Sequence, residues 1–331
     1  MKIEPIEFSP PWGLSGKHAQ TILSSVGPRR IRLSKIKRKL GDQSNREVIE
    51  TAAGVKLLTF FNSSGQQPAQ KLVIMIHGWE GSEISSYMLS ATEKLLNNGC
   101  DVIRLNLRDH GDSHHLNREA FNSTLLPEVI DAVELIQSKY QYPQTHLAGF
   151  SLGGNFALRV AADASTRNIN LTSVSAFCPV VHAAEANTAL SMRRNWLYDA
   201  YFVRKWKKSL RLKQQEFPDR YPLDSVLPKL KTLDAMNKAL IPQFTEYQIL
   251  EDYFAAYAIT DDRLKNVVCP CYLHFAADDM IIPVEGVNRI NKHDSLDIVV
   301  TEQGGHCGYL TNWRFESWQD DRLLQIIGSY D

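Results

Sequence analysis

A serine flanked by glycines is the residue of this chain whose context most strongly suggests chemistry. Gly149-Phe150-Ser151-Leu152-Gly153-Gly154 follows a short apolar run, 145–148, and precedes a stretch of helical composition, 155–162. The pattern G-x-S-x-G between a strand and a helix predicts a strained turn that exposes the serine hydroxyl group, which small flanking residues permit. Because a bare G-x-S-x-G often occurs by chance, this interpretation depends on partner residues elsewhere.

Two such partners stand later in the chain. A serine hydroxyl is a weak nucleophile and needs an adjacent base that a carboxylate orients. Asp279 and His306 each follow a predicted strand, in the order Ser, Asp, His. We therefore predict that Ser151, Asp279 and His306 form a catalytic triad. The neighbouring Asp278 competes for the orienting role; Asp279 is favoured because it stands four residues before Pro283, and Asp278 is expected to cap or turn the loop.

Acyl transfer also needs two backbone N–H donors for the negative charge that develops on oxygen. The predicted donors of this oxyanion hole are Leu152, directly after the serine, and Trp79, in a loop that follows another predicted strand. Gly78 would let the Trp79 backbone approach the substrate, and the Trp79 indole would line the pocket. We also expect His77, Gly78 and His110 to line it.

Short apolar runs alternate with helical stretches along most of the chain. Strands are predicted at 55–61, 72–76, 102–107, 145–148, 171–177, 271–277 and 296–301, and helices near 85–97 and 126–138. This alternation indicates an α/β fold, a mostly parallel sheet with helices on both faces. Active sites of such folds lie at the carboxyl ends of the strands, where all of the candidate residues fall.

Residues 184–265 interrupt this alternation because they are helical and poor in strands. An excursion of that length is better explained as a helical cap than as a loop. The predicted organisation is an α/β core, residues 1–183 and 266–331, with a cap at 184–265 that shapes the substrate pocket.

Composition bounds the partners and the compartment. Lys plus Arg equals Asp plus Glu at 37 each, so nothing in the net charge indicates a nucleic-acid partner. The five cysteines form no disulfide framework, and Cys269-Pro270-Cys271 is interpreted as the entry into a buried strand. With no apolar run near Met1, we expect a cytoplasmic protein.

Three segments have a second interpretation. Residues 108–115 are rich in metal-ligand types, but pocket wall or loop hydrogen bonding is favoured, and neither a metal nor a cofactor is expected. Residues 29–39 hold seven basic residues; a solvated, strand-like face is favoured over weak attraction to an anionic membrane. Residues 196–208 predict a basic, aromatic helix that packs on the domain below, the alternative being a lipid interface.

These motifs resemble those of the YheT-like α/β-hydrolases, which are related to mammalian ABHD-type esterases and phospholipases. The resemblance spans nearly the whole chain and rests on residues 10–14, 18–22, 77–82 with Tyr87, 149–155, 278–279 and 304–306. It implies an α/β-hydrolase fold and ester hydrolysis through an acyl-serine intermediate, with Ser151, Asp279 and His306 as the triad.

The expected function is therefore hydrolysis of short- to medium-chain acyl esters, small-molecule substrates, without a cofactor. Two alternatives stay open at this point. The same triad serves thioesterases, amidases and lysophospholipases, since all transfer acyl groups. A hydrolase-fold protein that only binds a ligand or partner is the other alternative, although a binder has no need of both a triad and an oxyanion loop.

Overall fold

An eight-stranded sheet forms the centre of the computed structural model, which describes residues 3–331. The strands are β1 (Asn45–Glu50), β2 (Lys56–Asn62), β3 (Lys71–Ile76), β4 (Asp101–Leu105), β5 (Gln144–Phe150), β6 (Ser173–Phe177), β7 (Cys271–Ala276) and β8 (Leu296–Thr301). Their order in the sheet is β1-β2-β4-β3-β5-β6-β7-β8. The β1–β2 and β2–β4 pairs are antiparallel and the remaining pairs are parallel.

Helices cover both faces of this sheet. They are α1 (Lys17–Leu23), α2 (Pro28–Gln43), α3 (Ser86–Leu96), α4 (Leu126–Tyr140), α5 (Leu152–Asp163), α6 (Ala183–Ser191), α7 (Trp196–Glu216), α8 (Leu233–Phe244), α9 (Leu250–Ala256) and α10 (Trp318–Gly328). Along β3, Leu72, Ile74 and Ile76 face the core formed with α4 and α5, whereas Val73 and Met75 face the core formed with α3 and α10. The predicted α/β architecture is confirmed.

The buried strands lie within a few residues of their predicted positions, but β1 was not predicted. Its sequence, NREVIE, holds only two apolar residues, and its side chains alternate between exposed and partly exposed. An edge strand of this kind lacks the continuous apolar run by which a strand buried on both faces is recognised.

The strand-like interpretation of the basic segment 29–39 is wrong, because these residues belong to α2. Leu33, Ile36 and Leu40 are buried and follow each other at helical spacing, and they pack with Leu89 of α3. The basic residues of α2 mostly point to solvent, as was expected of this face. The segment was misread because the apolar residues 31 and 33 have the spacing of a strand, whereas 33 and 36 have the spacing of a helix. So short a stretch does not decide between the two.

The strand-poor segment between β6 and β7 contains α6, α7, α8 and α9. These helices pack mainly on one another: α6 contacts α7, α8 and α9, and α8 contacts α7 and α9. We keep the division into a core and a cap at 184–265 as a proposal.

Other expectations concern the cysteines and membrane spans. Cys271 begins β7, so Cys269-Pro270-Cys271 does lead into a buried strand, and all five cysteines are buried and free. Among residues 3–331, no helix combines the length and the apolar character that crossing a bilayer requires.

Two substitutions test the orientation of α2. In a strand, residues 31 and 33 would share a face, whereas in a helix they point apart. Leu33 is 3% exposed and Ile31 is 73% exposed, so Leu33→Ala should lower the free energy of unfolding by about 2–4 kcal/mol. Ile31→Ala, the matched control, should change it by less than about 0.5 kcal/mol. Urea unfolding measures both, and similar losses in the two variants would contradict the helical packing.

Candidate active site

The backbone is strained at Ser151, in the turn between β5 and α5. Ser151 has φ 54° and ψ −119°, a region that residues with a side chain rarely adopt. Its amide donates to the carbonyl oxygen of Phe177 at 2.8 Å. A Cβ atom at Gly153 would lie 2.2 Å from the carbonyl oxygen of Ile76, and one at Gly149 would lie 2.2 Å from that of Gly153. The glycines are therefore required by close backbone approach.

Ser151, His306 and Asp279, the three residues of the predicted triad, form a continuous hydrogen-bonded chain. His306 Nε2 lies 2.9 Å from Ser151 Oγ, and His306 Nδ1 lies 2.8 Å from Asp279 Oδ2. Because a carboxylate only accepts, Nδ1 carries the proton and Nε2 is free to accept one from the serine. Burial lowers the pKa of His306, but the charge and hydrogen bond of Asp279 outweigh it, so this pKa lies above its ordinary value.

The two neighbouring aspartates make different contacts. Asp279 Oδ1 accepts from the amides of Ile281 and Ile282, at 2.8 and 3.0 Å, which fixes the carboxylate facing His306. Asp278 Oδ1 instead accepts from the Gly305 amide at 2.8 Å. Asp278 thus holds the loop that carries the histidine and does not contact the imidazole.

The N-terminal segment also holds this histidine loop, a role that sequence reasoning missed. Thr21 Oγ1 accepts from the His306 amide at 2.9 Å. The fully buried Gln20 donates to the carbonyl oxygens of Leu14 and Leu310 and accepts from the Leu310 amide. Residues 18–22 were noted only as part of a family signature, and no local pattern connects them with a loop 285 residues away.

The two predicted oxyanion donors lie beside the serine. Trp79 and Leu152 line the same cavity as Ser151 and His306. Within the part of the chain that the structure describes, neither amide donates to a protein acceptor. The Gly78 amide is held by Tyr87 Oη at 2.9 Å, so the loop that presents Trp79 is fixed. This leaves two backbone donors available to a ligand.

The Trp79 side chain contacts α7. Its ring stacks on Phe202 with 5.5 Å between centroids and meets Trp206 edge to face at 5.3 Å. Both partners lie on α7, so the predicted packing of this aromatic helix on the domain below is confirmed for these two side chains. Trp79 lines the cavity as well.

His77 and His110 connect the Trp79 loop to the loop after β4. His77 Nδ1 donates to the Gly78 carbonyl and its Nε2 accepts from the Leu107 amide. In the same manner, His110 Nδ1 donates to the Arg108 carbonyl and its Nε2 accepts from the Glu80 amide. Of the three residues expected to line the pocket, His110 and Gly78 line this cavity, whereas His77 is fully buried behind the loop and does not.

Burial keeps both of these histidines neutral. It lowers the pKa of His77 to about 4, despite the hydrogen bond to Gly78. Burial, followed by the proximity of His77, also lowers the pKa of His110 well below its ordinary value. A second proton on either ring would bind to Nε2 and break the hydrogen bond that this nitrogen accepts from a backbone amide.

Residues 108–115, rich in metal-ligand types, are joined by protein contacts. Asp109 accepts from Lys213 Nζ at 2.9 Å, and the His114 ring bonds Ser209 at 2.8 Å, which ties this loop to α7. Elsewhere among the described residues, Cys178, His306 and Cys307 each offer a ligand atom within 4.8 Å of the others. Both nitrogens of His306 are already engaged by Ser151 and Asp279.

The cavity beside Ser151 has a volume of about 1120 Å³ and lies at the carboxyl ends of the strands. Its walls come from the core loops, from α2 and from the helices between β6 and β7. It is large enough for a drug-sized ligand.

Comparison with known proteins identifies the family to which this fold belongs. A model of the alpha/beta hydrolase family matches residues 73–315. The chain is 24% identical over 328 residues to a candidate esterase, slr0264, of Synechocystis sp.. The alignment covers 92% of this chain and 88% of that protein.

Two solved structures have the same fold. One is the esterase Pf2001 of Pyrococcus furiosus, with a TM-score of 0.60, 15% identity and coverage of 100% of this chain and 99% of that chain. The other is Est1E of Butyrivibrio proteoclasticus, with a TM-score of 0.51, 16% identity and coverage of 86% and 100%.

The neutral state of His77 can be tested by the pH dependence of stability. Its folded pKa of about 4 lies below an unfolded value of about 6.5, so below pH 6.5 only the unfolded chain gains this proton, and stability falls. His77→Gln removes that proton. Relative to the wild type, the variant should gain about 2 kcal/mol of unfolding free energy between pH 7 and pH 5.

Urea unfolding of both proteins at each pH gives this difference. Its value at pH 7 reports the hydrogen bonds that the variant loses, and only its change with pH reports the proton. A difference that stays constant from pH 7 to pH 5 would contradict a neutral, buried His77.

Proposed function

Because the chain belongs to the alpha/beta hydrolase family, we propose that it is a serine hydrolase that cleaves short- to medium-chain carboxylic esters through an acyl-serine intermediate. The observation that carries the proposal is the hydrogen-bonded chain from Ser151 through His306 to Asp279. The fold relationship to esterases supports it.

In the proposed acylation step, the Ser151 oxygen attacks the ester carbonyl carbon while its proton passes to His306 Nε2. The carbonyl oxygen gains negative charge and accepts hydrogen bonds from the free amides of Trp79 and Leu152. Asp279 stabilises the imidazolium that forms and keeps its ring oriented. His306 then donates the proton to the departing alcohol oxygen as the ester C–O bond breaks.

In the proposed deacylation step, a water molecule replaces the alcohol. His306 accepts a proton from this water, whose oxygen attacks the acyl-serine carbonyl. The same two amides hold the second oxyanion, and the proton returns from His306 to Ser151 as the acid leaves. Every proton that moves does so through one imidazole nitrogen.

Two finer assignments belong to the same proposal. Membership of the YheT-like group is supported by the roles that its signature residues play here, since Gln20 and Thr21 hold the loop of His306. A cytoplasmic location is supported by five free cysteines, because reduced thiols are usual in a reducing compartment.

Ser151→Ala tests the nucleophile. The variant should hydrolyse p-nitrophenyl butyrate at least about 10⁴-fold more slowly than the wild type, because no other group forms the acyl intermediate. It should also lose labelling by a fluorophosphonate probe. Ser138→Ala, an exposed serine on α4, is the matched control and should retain both. Turnover that survives in Ser151→Ala would refute the proposed mechanism.

The neighbouring aspartates offer a second matched pair. Asp279→Asn should lower kcat by about three to four orders of magnitude, because the imidazolium loses its carboxylate. It should also move the acid limb of the pH profile of kcat/KM to lower pH, since Asp279 raises the pKa of His306.

Asp278→Asn should lower kcat less than about tenfold, because an amide oxygen can still accept from Gly305. Steady-state rates from pH 5 to pH 9 measure both variants. Equal losses of kcat in the two variants, with no shift of the acid limb, would contradict the orienting role of Asp279.

A further inference from the structure

The cavity beside Ser151 has two chemically different parts. The part formed by α2 and α7, called here the basic part, holds every lysine and arginine of the lining beside apolar side chains such as Phe202; these cations are Arg30, Lys37, Arg204, Lys205 and Lys208. The part formed by α6, α8 and α9 is apolar and includes Ala186, Leu190, Leu233, Ile241 and Phe254. A ligand that fills both parts must itself be apolar at one end and polar at the other.

The carboxylates of the lining do not neutralise this positive charge. The lining contains two of them, Glu80 and Asp109. Asp109 is paired with Lys213, which lies outside the cavity lining. Burial raises the pKa of Glu80 to about 8, although Lys205 acts in the opposite direction. Near neutral pH, Glu80 is therefore mostly uncharged.

The cations lie close enough to repel one another. Burial lowers the pKa of Lys205; nearby Glu80 opposes this, while Arg30 and Arg204 add to it. Lys205 Nζ donates to the Glu80 carbonyl oxygen at 3.0 Å, and among the described residues no carboxylate forms an ion pair with it. Within residues 3–331, Arg30 and Arg204 form no ion pair, so their guanidinium groups are available to an anion.

We propose that this chain selects acyl esters whose alcohol part carries a net negative group such as a phosphate, which Arg30 and Arg204 bind at the basic part of the cavity. This inference rests on the proposed ester hydrolysis. The acyl chain belongs in the apolar part, because removing its CH₂ groups from water is favourable there. The anion therefore belongs to the leaving alcohol, and guanidinium groups suit phosphate because they can donate two parallel hydrogen bonds.

Three substrates with one scissile ester test this selectivity: 1-decanoylglycerol, its 3-phosphate and its 3-phosphocholine, each kept monomeric below its micelle concentration. For the wild type, kcat/KM should be about tenfold or more higher for the phosphate than for the neutral ester, mainly through KM, since a remote charge contact holds substrate and transition state alike. The zwitterionic phosphocholine should gain less, and added KCl should reduce the preference.

Variants assign the preference to residues. Arg30→Gln and Arg204→Gln should each reduce the phosphate-to-neutral ratio several-fold, and the double variant should bring it near one. Arg211 lies on the same helix as Arg204, is exposed and does not line the cavity. The variant Arg211→Gln is therefore the matched control and should keep the wild-type ratio. Because the ratio compares two substrates on one protein, a partly unfolded sample lowers both rates and leaves it unchanged.

The outcomes separate this inference from the proposed function. If neutral and phosphorylated esters are cleaved equally, or if Arg211→Gln lowers the ratio as much as Arg204→Gln, the inference is overturned while ester hydrolysis stands. If neither ester is cleaved and no probe labels Ser151, the proposed function fails and the inference fails with it.

A further arm identifies the source of the anion. Sedimentation with phosphatidylglycerol vesicles, and with phosphatidylcholine vesicles as control, measures binding to a lipid surface. Binding to the anionic vesicles alone, weakened in Arg30→Gln and Arg204→Gln, would assign the anion to a lipid headgroup. A preference on monomeric substrate without vesicle binding would assign it to a soluble ester. Both results support the basic part of the cavity as an anion site.

Discussion

The positive φ of Ser151 is the constraint on which the rest of the site depends. The turn can hold this conformation because β3, β5 and α5 approach each other with glycine at the points of contact, Gly149 and Gly153. The hydrogen bond from Ser151 to Phe177 anchors the turn to β6 as well. The parallel sheet thus over-determines the turn, and the strain aims one hydroxyl group out of the sheet.

The histidine is held by contacts from distant parts of the chain. His306 forms hydrogen bonds with Asp279, in the loop after β7, and with Thr21 of α1, while Asp278 accepts from the amide of the adjacent Gly305. Each contact orients a different atom: a ring nitrogen, the amide of the histidine and the amide before it. The loop after β8 therefore needs no regular secondary structure to hold His306, because side chains outside the loop accept hydrogen bonds from its amides.

The sequence predicted the structure best where buried strands appear as continuous runs of apolar residues. Central strands are continuous apolar runs, and the catalytic candidates follow them, so both could be predicted. The polar edge strand β1 has no such run, and α2 was misread because its apolar residues Ile31 and Leu33 alternate as in a strand, although only Leu33 is buried. Thr21 and the buried position of His77 could not be predicted, because tertiary contacts alone define them.

Three histidines near the site show how the environment decides what one side chain does. In His77, His110 and His306, Nδ1 donates and Nε2 accepts. The first two donate to neutral carbonyl oxygens, and burial keeps them uncharged. His306 donates to the carboxylate of Asp279, whose charge outweighs burial and stabilises the imidazolium. Only this ring can take up a proton without losing its position, and it is the ring that faces Ser151.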